Sequence, residues 1–260
     1  MAGSIRRLYS VLLWCAIAAL SVGATLVVLL PAAWLAPRLA EATGGRLSVR
    51  EVDGSIWRGS GQLYLAAPGL PDAARALPGR LDWRTAGLPL FLGRLEVELS
   101  DPALLKEPVA LTVERDASSI AAGGLALPLD ELGALGAPFN TLEFTGRAQC
   151  EWGAWRIERG RMSGHAQIRL LELASPLSSV RPLGSYRIDL DAKREGVALD
   201  LVTEQGPLVL DARGLIGGEG LALSGHARAE PEAADRLADL LGILGKRERG
   251  GVAFSFGTLD

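Results

Sequence analysis

Residues 185–229 read SYRIDLDAKREGVALDLVTEQGPLVLDARGLIGGEGLALSGHARA. Apolar and polar residues alternate along SYRIDLDAKR, VALDLVTE, PLVLDARG and GLALSGHARA, with Gly, Pro and charged residues at the joints. A period of two sends successive side chains to opposite faces, so each run predicts a half-buried antiparallel strand. The same pattern appears upstream in RLSVREV, GQLYLAA, LEVELS, VALTVER, LEFTGRAQCEW, AWRIERGRM and HAQIRLLEL. From residue 140 onward turn signals come about every ten residues, the spacing of a meander or sandwich. Helical interruptions are few. LPLDELGALGAPF is one, and PEAADRLADLLGILG, with Pro231 near its start and Gly245 at its end, is the other.

The first fifty residues differ in kind. Val11 to Leu30 is an unbroken run of apolar or small residues, and no acid precedes Glu41. Such a run, helical at about 1.5 Å per residue, spans roughly 30 Å, the hydrocarbon thickness of a bilayer. Arg6 and Arg7 before it keep the N-terminus cytoplasmic, and Trp14 and Trp34 sit near its ends. A cleaved signal peptide ending at Ser21-Val22-Gly23 is the rival reading, but the apolar run continues past that site. Lipidation at Cys15 is disfavoured by the bulky Trp14 before it. Cys15, Ala19 and Gly23 recur every four residues, which is better explained by composition than by a helix-packing face. The expected fold is therefore mainly β. A transmembrane helix at 11–32 follows a cytoplasmic tail at 1–10 and leads into a periplasmic domain at 33–260. That domain is one elongated, twisted antiparallel sheet, or a sandwich-like body, with a few short helices. LPAAWLAPRLAEATGG forms a short amphipathic exit that Gly44 and Gly45 stop.

Bulk chemistry excludes several functions. The chain has 27 Lys and Arg against 30 Asp and Glu with no run of one sign, so it lacks a nucleic-acid footprint. Cys15 and Cys150 are its two cysteines, too few for a disulfide framework. The histidines are His165 and His226, each two residues after a serine (Ser163, Ser224) within an identical Ser-Gly-His-Ala tetrapeptide. Such a pair suggests a Ser–His dyad or a duplicated hairpin. Neither serine lies in a G-x-S-x-G elbow, however, and no orienting acid is apparent, so ordinary strand histidines are the better reading. No metal-ligand spacing and no phosphate loop occur. Cys150 reads as a small packed residue, and Glu96/Glu98 and Asp189/Asp191 as a solvated sheet face rather than paired catalytic acids. No catalytic residue, cofactor or metal site is expected.

The stretch DGSIWRGSGQLYL, 53–65, reads as an Asp53-Gly54 turn, a core anchor at Trp57, and a bulge permitted by Gly59 to Gly61. With what precedes it, this stretch also resembles the start of type II secretion system protein N, the general secretion pathway N family. The resemblance rests on Leu30-Pro31-Ala32 with Trp34, on Thr43 to Arg46, and on Gly54, Ser55, Trp57 and Gly59. Later stretches match as well: LDWRTAGLPLF, the segment Pro182, Leu183, Gly184, Ser185, Tyr186 and Arg187, and the closing LLGILG…GGVAFSFGTLD. These motif residues carry no catalysis; they are candidate partner contacts. The resemblance implies a bitopic inner-membrane component of the Gram-negative protein-export machine. It would link the inner-membrane platform to the outer-membrane secretin, with other secretion subunits as partners and no small-molecule substrate. A membrane-anchored periplasmic β-groove that binds or transfers lipid is the alternative.

Overall fold

A chain of alternating strands must pair them to satisfy its backbone N–H and C=O groups. The computed structural model describes residues 14, 17, 18, 21, 25, 29–67, 70, 73–135, 139–218, 220–248 and 251–257. In it the pairing produces two nine-stranded antiparallel sheets. The first begins with β1 (Leu47–Gly54) and β2 (Arg58–Leu65), with the short β3 (Arg75–Ala76) on the end of β2. It continues through β4 (Leu81–Ala86), β5 (Leu95–Ser100), β6 (Val109–Val113) and β7 (Ala117–Ile120). The chain then enters the second sheet with β8 (Gly123–Pro128) and β9 (Thr145–Trp152). It returns to the first with β10 (Trp155–Glu158) and β11 (Arg161–Ser163). The second sheet is completed by β12 (His165–Ala174), β13 (Gly184–Ala192), β14 (Val197–Gln205) and β15 (Leu208–Gly217). After these come β16 (Gly220–Ala229), β17 (Lys246–Glu248) and β18 (Gly251–Phe256). Strand order is 1-2-4-5-6-7-10-11 in one sheet and 17-18-16-15-14-13-12-9-8 in the other.

Where one twisted sheet or a sandwich-like body is expected, there are two sheets, and the chain runs directly from strands of one into strands of the other. β7 runs into β8 across Ala121 and Ala122, β9 into β10 across Gly153 and Ala154, and β11 into β12 across Gly164. Ile120 opposite Trp155 and Gly123 opposite Trp152 keep one register through the bend. The segment ahead of β6 crosses too: Leu105 bridges to Leu125, and the Ala126 N–H donates to the Leu104 carbonyl at 2.9 Å. At the bend two indoles add to the backbone bonds, such as that from the Gly153 N–H to the His165 carbonyl at 3.0 Å. Trp152 Nε1 donates to the Ala121 carbonyl at 2.9 Å and Trp155 Nε1 to that of His165 at 3.1 Å. Gly164 is required there, because a Cβ would lie 2.4 Å from the Trp155 ring.

Alternation and register together sort the side chains by row. One row across the second sheet reads Leu125, Cys150, Ile168, Ile188, Leu201, Ala212, Gly225 and Phe254. The adjacent row, on the other face, reads Gly124, Glu151, Gln167, Asp189, Asp200, Arg213, Ser224 and Ser255. In the first sheet Gly59, Trp83, Leu99 and Val109 form an apolar row beside Arg58, Arg84, Glu98 and Ala110. Each sheet therefore has one apolar and one polar face.

The apolar face of the second sheet is sealed at one end. A 3-10 segment (Leu129–Leu135), the short α-helix at Phe139–Leu142 and the amphipathic helix at Ala234–Leu244 close it. Leu237 and Leu240 of the last helix pack on Leu183, Leu208 and Val180, while Tyr186 packs with Leu129, Ala148 and Leu173. At the opposite end the row Leu95, Val113, Ser118, Ile157, Met162 is more open, with Ile157 44% exposed.

Other expectations need correction. AWRIERGRM is a hairpin, β10 and β11 turning at Arg159-Gly160, and β4, β7 and β8 arise from segments that alternation did not single out. LPLDELGALGAPF is 3-10 over Leu129–Leu135, not a regular helix. The two Ser-Gly-His-Ala copies are not equivalent, since the first spans the bend and the second lies inside β16. The exit helix forms as expected over Leu35–Ala42. Most of Val11–Leu30, with Arg6, Arg7, Cys15 and Gly23, lies outside the described residues, as does the Trp34 side chain. Among the described residues no helix is long and apolar enough to cross a membrane.

The seal at the covered end yields a prediction. Leu237→Ala lowers unfolding free energy by about 2–5 kcal/mol, whereas Ile243→Ala on the helix's exposed side costs no more than about 1 kcal/mol. Urea denaturation checks both, and equal effects would show that the helix does not pack by its Leu237 face.

Candidate functional site

The family-like stretch at 53–60 is built around a buried tryptophan, but not the expected one. Trp83 on β4 lies over Gly59, where a Cβ would come within 2.3 Å of the ring. Its Nε1 donates to the Ser55 carbonyl at 3.0 Å, and the side chain is only 9% exposed. Trp57 is half-buried, in the turn itself. Asp53 and Gly54 belong to the end of β1, opposite Ser60 and Gly59, so the turn is Ser55–Trp57 rather than Asp53-Gly54. Ser55 organises it: its Oγ accepts from the N–H groups of Trp57 and Arg58, both at 3.3 Å. The expected bulge exists on the partner strand, where the register of β1 slips between Arg50 and Asp53. Arg80 clamps it, donating to the Glu51 carbonyl at 2.8 Å, to Ser60 Oγ at 2.9 Å and to Asp53 at 2.6 Å. Neither Trp83 nor Arg80 was legible beforehand, because each is brought in by β2–β4 pairing.

The second motif segment divides between core and surface. Leu183 and Tyr186 are fully buried, and Gly184 is buried beside Tyr186. Tyr186 donates its hydroxyl to the Leu208 carbonyl at 2.9 Å, and burial pushes its pKa well above the usual phenol range. Pro182 is exposed. Arg187 faces the polar side, 3.0 Å from Asp189 and 3.9 Å from Glu204. Of the motif residues in this segment, Pro182 and Arg187 are the ones that lie outside the core.

The remaining candidates for chemistry stay dispersed. His165 Nδ1 lies 2.9 Å from Asp191 Oδ1, an acid invisible to local spacing and supplied by the β12–β13 register. Ser163 points elsewhere, donating to the Arg156 carbonyl at 3.4 Å, so no serine completes the pair. His226 is 3.7 Å from Glu248 and largely exposed. Asp189 accepts from Gln167 and Arg187, which makes it part of a solvated network. Among the described residues no group of three or more metal-ligating side chains comes together. Cys150 is half-buried on the apolar face, and desolvation, then the neighbouring Glu151 charge, raises its thiol pKa. The arrangement offers extended surfaces and edges.

Two measurements follow. Trp83→Ala destabilises the fold by about 3–5 kcal/mol and Trp57→Ala by less; a thermal melt ordering them the other way would return the anchor to Trp57. A raised thiol pKa leaves less thiolate at neutral pH. Peptide mapping after iodoacetamide treatment should therefore show Cys150 reacting more slowly than free cysteine, with the rate rising above the ordinary thiol range.

The chain was compared with known proteins. The model of the family described as type II secretion system (T2SS), protein N matches residues 45–255. No curated protein and no solved structure matches the chain. The match begins just before β1 and ends within β18, so it takes in both sheets and the bend that joins them. The chain therefore belongs to the type II secretion system protein N family, a structural component of the secretion machinery with a role in type II secretion.

Proposed function

We propose that the chain is a non-enzymatic, inner-membrane-anchored component that links the inner-membrane platform to the outer-membrane secretin during export of folded proteins. The anchor is the Val11–Leu30 run, with Arg6 and Arg7 on the cytoplasmic side and residues 33–260 in the periplasm. The observation that carries this reading is the family match over residues 45–255, which coincides with the whole paired body. Docking is by sheet edges and the polar face. β11 ends its sheet with Arg161, Met162 and Ser163 all exposed, and an unpaired strand edge is a template for a strand from another chain. On the polar face, Arg187, Asp189, Asp200 and Arg213 present both signs of charge, which suits a complementary protein surface.

A second reading, a β-groove that binds or transfers lipid, is favoured by the continuous apolar face. Among the described residues that face is covered at the Leu237 end and half-exposed along rows such as Ile188–Leu201.

Photocrosslinking in secreting cells separates the two. Probes at Trp57, Met162 and Arg187 are expected to trap secretin or platform subunits. Phospholipid adducts confined to Ile188 and Leu201, with no protein adduct from the first set, would sink the connector and establish the groove.

A further inference from the structure

The hairpin between β4 and β5 carries a feature that neither reading uses. Its tip, Gly87-Leu88-Pro89-Leu90-Phe91-Leu92-Gly93, holds Leu88, Phe91 and Leu92 at 83%, 89% and 87% exposure, with Leu90 at 45%. Exposed apolar clusters of this kind mark an interaction site on a folded protein. The exposure is built in, because the tip is a hydrogen-bonded turn of helix (Gly87–Leu90). The Gly93 N–H donates to Leu90 O at 3.0 Å and the Arg94 N–H to Pro89 O at 3.0 Å, the paired bonds of a glycine-closed helix end. Gly93 sits at φ +74°, which a side chain would resist.

The location of the tip identifies its partner. Arg84 pairs with Arg58, so β4 ends beside the Ser55–Trp57 turn. That same turn meets the end of the apolar run: Pro31 bridges to Ser55, and the Ile56 N–H donates to the Leu30 carbonyl at 3.1 Å. Thr85 holds tip and turn together through its backbone N–H to Trp57 O and its hydroxyl to Ile56 O, at 2.8 and 2.7 Å. The run and the tip therefore leave the first sheet from one end. The β6–β7 and β10–β11 turns lie at that end as well, since Leu95 pairs with Val113 and Ala117 with Glu158. Their exposed Arg115 and Arg159 join Arg84 and outnumber the exposed Asp116 of the same turns, and none of these four has an ion pair among the described residues. An apolar tip with arginines behind it matches acyl chains below anionic headgroups.

We propose that the Gly87–Gly93 tip is a second membrane contact, inserting into the outer part of the bilayer beside the N-terminal run. The inference rests on reading Val11–Leu30 as membrane-embedded. Two contacts at one end of a sheet fix its orientation, so the strands stand away from the membrane and the sealed Leu237 end is distal.

The full chain, reconstituted in phosphatidylcholine and phosphatidylglycerol vesicles, tests this with p-benzoylphenylalanine placed at Phe91, at Leu92 or, as control, at Glu195 in the exposed β13–β14 turn. The expected result is phospholipid adducts at Phe91 and Leu92 and none at Glu195. Chain that floats with the vesicles but forms no lipid adduct at either tip position overturns the tip contact alone. Protein–protein adducts at the tip overturn it too and make the tip a subunit contact. Chain that does not float overturns both the anchor and the tip.

Discussion

Strands crossing from one sheet into another must bend without abandoning backbone hydrogen bonds, and everything else in this protein depends on how that is done. Small residues, Ala121, Ala122, Gly153, Ala154 and Gly164, occupy the crossing. They leave room for a turn of the ladder, and two indoles reinforce it there. Trp152 Nε1 donates to the Ala121 carbonyl, and Trp155 Nε1 joins the Gly153 N–H on the carbonyl of His165. Because register is preserved through the bend, the apolar faces of the two sheets remain one surface. A slip of one residue would turn that surface inside out.

Energetically the molecule is uneven. Burial is concentrated where helix and 3-10 segment close over Tyr186, Leu183 and Leu237, and apolar area removed from water contributes there at about 25 cal/mol per Å2. The polar face is held by exposed ion pairs such as Arg213–Asp200 and Arg94–Glu114, which each contribute only about 0–1 kcal/mol. A fold anchored at one end and open elsewhere suits a part that works by contact with other bodies. Its edges, polar face and apolar tip each present a different chemistry.

The titratable groups point the same way. His165 and His226 each meet an acid, yet both pairs are solvated, and Ser163 donates to the Arg156 carbonyl rather than to His165. Cys150 is held in its thiol form by burial. Arg80, by contrast, spends its donors on a bulge carbonyl, a serine and an aspartate within one turn, so the motif around Ser55 is a geometric device. It places Leu30, the Ser55–Trp57 turn and the β4–β5 hairpin side by side.

Local pattern alone determined the β class, the position of most strands, the closing helix and the apolar run, because a period of two, the Pro and Gly helix boundaries and an unbroken apolar stretch are each written residue by residue. β16 matches GLALSGHARA residue for residue, and β12 to β15 differ from their runs only at the ends. The family resemblance was legible in the same way, from short motifs at 54–59 and 182–187. Tertiary pairing decided the rest: how the strands divide between two sheets, Trp83 instead of Trp57 in the core, Asp191 beside His165, and Arg80 on the bulge. Each depends on which strand lies next to which, a relation between residues tens of positions apart that alternation does not encode. Both tryptophans sit beside glycine in the chain, Trp57 two residues from Gly59 and Trp152 next to Gly153. Only the fold distinguishes the ring that lies half-buried in a turn from the ring that caps a bend.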